Sequence, residues 1–249
     1  MTAPRCLLAL AILSVAVSAT PLSATDSLRP ARHAQALLGR EVWSTLLRIE
    51  NRAPSARYPR IVHALVFELA DILWFYDAAH GTQSFSLHRG RLAEEKADFA
   101  PLLRDIDAGF VRWTEVPARM EHSPARGSLP NGCFIESIAA LRDRLASGEA
   151  ISRPQLLSYY LTHRGVLTGH TVLAYETNGR IAVIDPARGG APLQFPTPLA
   201  GNALQLARAV AGNDVATARW VPLEPALHLQ ALSTDRRVTG DDIDHPPRV

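Results

Sequence analysis

The feature that most restricts the fold of this chain is an Asn-Gly pair between two apolar, β-rich segments. Residues 168–176 read TGHTVLAYE, residues 180–186 read RIAVIDP, and Asn178-Gly179 lies between them. Asn-Gly readily adopts the left-handed angles of a type I′ turn, whose twist matches that of two antiparallel strands. The sequence therefore predicts a β-hairpin with this pair at its turn.

The predicted hairpin brings a histidine and a carboxylate onto one face. With the turn at Asn178-Gly179, Val172 lies opposite Asp185. Because alternate side chains of a strand share a face, His170 and Asp185 become diagonal neighbours, about 7–8 Å apart between backbones. A carboxylate in that position can orient an imidazole and stabilise its charged form. A surface His–Asp pair without a role is the alternative.

A cysteine stands at the start of a predicted helix. Residues 129–145, LPNGCFIESIAALRDRL, place Cys133 after an Asn-Gly break, and apolar side chains follow at helical spacing from Ile135 to Leu145. The first turn of a helix offers unpaired backbone N–H groups and the positive end of the helix dipole, which favours a thiolate. Together with His170, such a thiolate would be a nucleophile whose own backbone N–H stabilises an oxyanion. Burial as a small hydrophobic side chain is the alternative.

The N-terminus has the layout of a secretory signal peptide. One arginine precedes an apolar run from Cys6 to Val17, and small residues predict cleavage after Ala19 or Ala24. The run is too short to span a bilayer, and no later stretch approaches the roughly 20 apolar residues of a membrane helix. We expect residues 1–24 to be removed and the protein to be secreted or periplasmic in a bacterium, without an integral membrane segment.

Removal of that segment would leave Cys133 as the only cysteine. Exported proteins that use cysteines structurally use them in pairs, so an unpaired thiol is either buried or functional. The net charge is only +2, and the arginines are scattered among acidic residues. This pattern gives no indication of a nucleic-acid partner. We expect a protein or peptide substrate, and the oligomeric state is left open.

The remaining pattern predicts a mixed α+β chain with a boundary near residue 120. Helices are predicted within 25–52 and over 91–106, 153–164 and 202–212, and strands around a turn at Ala78 to Gly81 and in the run 217–223. Breaker residues are frequent between 115 and 132. We therefore divide the mature chain into an N-terminal α+β region (25–120), a core (121–233) and a disordered polar tail (234–249).

The cysteine, histidine and aspartate resemble a known family in their order and spacing. A Cys at a helix start, a His on a strand 37 residues later and an Asp before Pro a further 15 residues on resemble the transglutaminase-like branch of the papain-like cysteine hydrolases. Within that branch, LPNGCFIESIAALRDRL and GHTVLAYETNGRIAVIDPARGG look most like the secreted bacterial protein-glutamine glutaminases, which are protein deamidases. The resemblance covers about residues 126–190.

This resemblance implies a fold and a reaction. The fold would be a papain- or transglutaminase-like α+β core in which the cysteine-bearing helix packs on an antiparallel sheet. Cys133 would attack a protein glutamine carboxamide and release ammonia, His170 would carry the proton, and Asp185 would hold His170. Water would resolve the thioester, and no metal or organic cofactor is implied.

Other functions fit the same residues. GHxVxxY…DP also resembles the histidine–aspartate half of bacteriocin-processing peptidases, so a cysteine peptidase (a thiol protease) is the second hypothesis. Crosslinking, in which an amine replaces water, is the third. A non-catalytic exported binding module would keep the fold around a buried Cys133. A zinc site would need one Cys, one His and one Asp as ligands, an unusual set without a close-spaced pair.

Two further predictions concern residues 25–120. Gln83 could supply a second oxyanion donor, but it lies 50 residues before Cys133, whereas such a donor usually lies close upstream. We therefore expect Gln83 not to fill this role. The breaker-rich stretch at 117–130 carries Arg119 and Arg126, which suggests that residues 25–120 are a pro-segment or lid released by proteolysis.

Overall fold

The computed structural model describes residues 24–52, 58–70, 72–84, 98–117, 129–163, 165–189 and 191–223. The predicted signal segment up to residue 23, the boundary near residue 120 and the tail from residue 234 lie outside these ranges. The described residues form helices and two antiparallel sheets, so the α+β class predicted from the sequence is confirmed.

The first half of the described chain contains two helices and five strands. They are α1 (Ala24–Leu38), β1 (Ser44–Asn51), β2 (Ile61–Leu69), β3 (Ile72–Asp77), β4 (Gly81–Ser84), α2 (Ala100–Ile106) and β5 (Phe110–Glu115). All neighbouring strand pairs are antiparallel, and the sheet order is β4-β3-β2-β1-β5. This sheet is called the N-terminal sheet below.

The second half forms another antiparallel sheet of five strands. Its elements are α3 (Cys133–Ala146), β6 (Ser152–His163), β7 (Val166–Thr177), β8 (Arg180–Ile184), β9 (Leu193–Pro196), a 3-10 helix (Thr197–Gly201), α4 (Ala203–Ala211) and β10 (Val215–Pro222). The order of this C-terminal sheet is β10-β6-β7-β8-β9. The predicted helices at 133 and near 202–212 and the predicted last strand are thus confirmed.

The hairpin predicted from Asn178-Gly179 is also confirmed, including its register. Thr177 pairs with Arg180, and both turn residues have positive φ, 50° at Asn178 and 69° at Gly179. Left-handed angles at both central residues are those that a type I′ turn requires. The ladder ends at the pair Leu173–Ile184, so Asp185 lies just beyond the last paired residue.

The helix predicted within residues 25–52 is only partly correct, because the chain changes to a strand. Helix α1 ends at Leu38, Gly39 takes a left-handed φ of 80°, and β1 follows. Strand β1 is a central strand, with Leu46 in one core cluster and Leu47 in another. A strand covered on both faces does not alternate apolar and polar residues. The spacing of its apolar residues therefore fitted a helix as well as a strand.

The helix predicted over 153–164 is wrong, and for the same physical reason. These residues belong to β6, which lies between β10 and β7. Leu156 packs in the cluster that includes α3, whereas Leu157 and Tyr159 pack in the cluster that includes α4. Helices cover the strand from both sides, so apolar and polar side chains do not alternate along it. Of the helix predicted over 91–106, the described residues show only α2.

The main hydrophobic cluster contains residues from both sides of the predicted boundary. Phe67 and Trp74 of the N-terminal sheet pack against Phe134 of α3, with ring centroids 6.2 and 4.5 Å apart. Leu173 of β7 and Ala34 of α1 belong to the same cluster. Helix α3 is therefore held by both sheets, and this packing determines where its first residue lies.

Truncation of Phe134 should strongly destabilise the protein. Phe134 is 5% exposed and its ring packs against two neighbouring aromatic rings of the N-terminal sheet, so Phe134→Ala leaves a cavity at the junction. We expect the free energy of unfolding in urea to fall by about 3–5 kcal/mol. The control is Val111→Ala on β5, where the side chain is 50% exposed and little should change. Equal losses in both variants would contradict the shared core.

Candidate active site

The loop before α3 places Cys133 at the first position of the helix. Asn131 has a left-handed φ of 52°, and Gly132 is the N-cap residue with no side-chain capping bond. A Cβ on Gly132 would lie 2.4 Å from Cβ of Leu129, so only glycine fits. The backbone N–H groups of the first turn have no partner within the helix and are available to an oxyanion.

Two side chains fix this loop to its surroundings. The carboxylate of Glu136 accepts a hydrogen bond of 2.6 Å from the backbone N–H of Leu129, seven residues earlier in the chain. The Tyr76 hydroxyl, on β3, donates to the Pro130 carbonyl oxygen at 2.8 Å. Burial raises the pKa of Tyr76, which keeps this hydroxyl protonated and able to donate. The loop that carries the thiol is therefore held in one conformation.

The turn between β3 and β4 is bound directly to the same loop. Nδ2 of Asn131 donates to the carbonyl oxygens of Ala78 and Ala79, at 2.9 and 3.0 Å. A Cβ on Gly81 would lie 2.7 Å from the Asn131 carbonyl oxygen, so the two backbones are in close contact. The N-terminal sheet thus reaches a position two residues before Cys133.

His170 lies on β7 and is held between an aspartate and an aromatic ring. Its Nε2 donates to Oδ1 of Asp185 at 3.0 Å. The ring of Tyr159, the paired residue on β6, meets the imidazole edge-on with centroids 5.5 Å apart. Burial raises the pKa of Tyr159 to about 12, so this phenol stays neutral beside the site.

The thiol of Cys133 is the largest cause of the raised pKa of His170. The pKa of His170 is raised above its ordinary value, chiefly by a hydrogen bond with Cys133 and further by the negative charge of Asp185, while burial opposes the shift. Because Nε2 is taken by Asp185, Nδ1 is the ring nitrogen left for the sulfur. The three predicted residues are therefore brought together in the order Cys133–His170–Asp185.

Asp185 is a buried carboxylate with a fixed orientation. Its side chain is only 6% exposed, and Oδ1 accepts from both His170 and the backbone N–H of Ala187, the latter at 3.0 Å. Nε of Arg188 lies 3.2 Å from Oδ2. These partners offset the cost of burying the charge, so the carboxylate can orient the imidazole.

A buried polar contact that was not predicted from the sequence joins α3 to β7. Ser137 is fully buried one turn after Cys133, and its hydroxyl donates to the backbone carbonyl of Thr171 at 3.2 Å. Thr171 follows His170 directly, and its own hydroxyl lies 2.9 Å from that of Ser158 on β6. The sequence does carry a sign of this contact: a serine lies on the apolar face of the predicted helix, and a buried hydroxyl needs a hydrogen-bond partner.

The thiol and imidazole open into a cleft of about 670 Å³ between the two sheets. The N-terminal sheet contributes His80 and Gln83, and the β6–β7 hairpin contributes Tyr160 and Leu167. Gln83 therefore reaches the cleft despite its distance in sequence, although its Nε2 donates to the Tyr58 hydroxyl at 3.4 Å. That Gln83 is not the second oxyanion donor stays a prediction, but its separation from Cys133 along the chain no longer supports it.

The described residues contain no group of three or more His, Cys, Asp or Glu side chains arranged to hold a metal ion. Within the same residues, no helix is both long and apolar enough to cross a membrane. No protein-family model, no curated protein and no solved structure matches the chain. The resemblance to the transglutaminase-like hydrolases therefore stays a prediction, and the geometry of the site carries the functional argument.

Proposed function

We propose that the protein is a cysteine-dependent amidohydrolase that deamidates glutamine side chains of proteins. One observation carries the proposal: His170 is hydrogen-bonded to Asp185 and lines the same cleft as Cys133, whose thiol is the largest cause of the raised pKa of His170. A thiol, a base and an orienting carboxylate in this order are the parts that nucleophilic catalysis requires. The papain- or transglutaminase-like arrangement of the core belongs to the same proposal.

Acylation would begin from the thiolate–imidazolium pair. The sulfur of Cys133 attacks the carboxamide carbon, and the carbonyl oxygen becomes an oxyanion. The backbone N–H of Cys133 at the start of α3 stabilises this charge. The C–N bond then breaks, His170 gives its proton to the leaving nitrogen, and ammonia departs from a thioester on Cys133.

Deacylation would reverse the roles of the same residues. His170, now neutral, takes a proton from water, and the hydroxide equivalent attacks the thioester carbon. The C–S bond breaks, a glutamate side chain is released, and the thiolate–imidazolium pair is restored. Asp185 holds His170 in position in both steps and does not itself become protonated.

The shape of the cleft supports a polypeptide substrate. It is open to the surface, and the β6–β7 hairpin at its edge exposes Tyr160, Val166 and Leu167, which are 48–64% exposed. Exposed apolar side chains beside a nucleophile are typical of surfaces that bind another chain. Export by the predicted signal peptide would bring the enzyme to extracytoplasmic proteins.

The proposal is tested by the products formed from a glutamine-rich protein such as casein. We expect the chain from residue 25 to release ammonia, and substrate masses to increase by the replacement of NH₂ by OH. Crosslinked species would instead indicate transglutaminase activity, and fragments would indicate a peptidase. If the intact chain and a sample cleaved within residues 117–130 both leave casein unchanged, the proposal is wrong and the non-catalytic module is favoured.

A further inference from the structure

A second histidine–aspartate pair has its histidine, His80, on the wall of the same cleft. Asp77 ends β3 and is fully buried, and its Oδ1 accepts from Nδ1 of His80 at 3.0 Å. The backbone N–H groups of Ala79 and His80 donate to the same oxygen, each at 2.9 Å. The carboxylate therefore organises the β3–β4 turn around the imidazole.

A buried tyrosine completes the support of this pair. The Tyr58 hydroxyl donates to Oδ2 of Asp77 at 3.3 Å, and its ring meets that of His80 edge-on at 4.7 Å between centroids. Nδ1 of His80 is thus occupied, and the ring is in contact with Tyr58. In the part of the chain that the structure describes, nothing hydrogen-bonds Nε2 of His80, whose side chain is 29% exposed and lines the cleft.

The position of His80 relative to the nucleophile is set by the bonds between the two loops. Asn131 holds the carbonyl oxygens of Ala78 and Ala79, and His80 is the next residue. Cys133 lies two residues after Asn131 on the other side of this contact. Because both residues line the cleft, a substrate bound at the thiol occupies the same cleft that the His80 imidazole faces.

The hydrogen bonds determine what His80 can offer to a ligand. A carboxylate is an acceptor, so Asp77 retains the proton on Nδ1. In the neutral imidazole the other nitrogen is then an unprotonated acceptor. An acceptor that faces a cleft beside a nucleophile fits an N–H donor of the substrate, which an amide has and an ester lacks.

We propose that Nε2 of His80 accepts a hydrogen bond from the N–H of the substrate carboxamide, with Asp77 and Tyr58 as positioning residues. The inference rests on the proposed amidohydrolase function and adds the residue that selects amides over esters. Sites built to hydrogen-bond a polar group discriminate against analogues that lack it, because their own polar atom is then unpaired.

Kinetics on a matched pair of substrates test the selectivity. The pair is a glutamine peptide and the same peptide with a glutamate γ-methyl ester. His80→Asn keeps an N–H that can donate to Asp77 but removes the Nε2 acceptor, and we expect kcat/KM for the amide to fall about 10-fold. The ester value should change less than about two-fold, since it never made the bond. His80→Gln returns an amide oxygen near the Nε2 position and should recover part of the loss.

The same replacement at His33 on α1, which is not part of the cleft lining, is the control and should alter neither substrate. Equal losses on amide and ester after His80→Asn would indicate a structural role and overturn the proposal. No loss on either substrate would overturn it as well.

A binding experiment separates this proposal from the proposed function. In the Cys133→Ala protein, ¹⁵N NMR of the histidine rings reports which nitrogen carries the proton. We expect the Nε2 resonance of His80 to shift when N-acetylglutamine N-methylamide is added. A protonated Nε2, or no shift, would overturn the inference. A shift without ammonia release by the wild-type protein would refute deamidation while the amide contact stands.

Discussion

Replacement of Cys133 by alanine should lower kcat for ammonia release by about 10⁴-fold or more. The thioester cannot form without the sulfur, and His170 then has no nucleophilic side chain to activate. The side chain is only partly buried at the start of α3, so we expect the melting temperature to change little. Cys133→Ser should be almost as inactive, since a hydroxyl has less tendency to ionise beside an imidazole. Residual activity within 10-fold of wild type would identify a different nucleophile.

Cys133→Ala should also lower the pKa of His170. The hydrogen bond with Cys133 is the largest cause of the raised pKa, so its loss leaves burial opposed only by Asp185. An NMR titration of the His170 ring in wild type and Cys133→Ala measures this change directly. An unchanged pKa would mean that the thiol and the imidazole do not interact in solution.

The sign of the accompanying stability change follows from linkage. The pKa of His170 is raised in the folded state above its unfolded value of about 6.5, so the folded state binds the proton more tightly. The stabilisation is complete below about pH 6.5 and is lost as pH rises through the folded pKa. We therefore expect the free energy of unfolding of wild type to decline with pH in this window more steeply than that of Cys133→Ala.

Replacement of Asp185 by asparagine should lower kcat by about 10²–10⁴-fold while KM changes little. The carboxylate holds Nε2–H of His170 at 3.0 Å, which leaves Nδ1 toward the sulfur. An asparagine that offers its N–H₂ group would favour the opposite tautomer, with the proton on the nitrogen that must accept one. Because Asp185 acts through His170, the ¹⁵N spectrum of the His170 ring should report this tautomer change.

Asp143→Asn is the matched control for that experiment. Asp143 lies on α3, is 77% exposed and is 3.9 Å from its nearest cationic partner, Arg142. The same loss of charge there should leave kcat and the His170 spectrum unchanged. If Asp185→Asn raises KM without lowering kcat, or leaves the His170 tautomer unaltered, Asp185 supports the fold and does not orient the base.

The β3–β4 turn makes the N-terminal sheet part of the cleft itself, and not only a segment that covers Cys133. The turn forms one wall of the cleft and is bonded to Asn131, while Phe134 packs on Phe67 and Trp74. The suggestion that this region is a removable pro-segment stays a prediction. If His80 selects amides, then a chain cleaved within residues 117–130 must keep both fragments together to retain that selectivity.

The parts of the site that were predicted from the sequence depend on local rules. The turn at Asn178-Gly179 sets the register of β7 and β8, and that register alone makes His170 and Asp185 neighbours. The start of α3 at Cys133 follows from the Asn-Gly break and the apolar spacing after it. Helices were wrongly predicted at β1 and β6, because burial of a strand on both faces depends on neighbours far along the chain.

The sequence by itself therefore determined a hairpin with a histidine–aspartate pair and a helix that begins with a cysteine. Only the tertiary structure decided that these meet, because the approach of α3 to β7 rests on the buried Ser137–Thr171 bond and on the packing of Phe134 against aromatic rings of the other sheet. The tertiary structure also placed His80 in the wall of the cleft through the bonds of Asn131. Turn and helix signals act over a few residues, whereas these contacts join residues 34 to 67 positions apart, where packing decides.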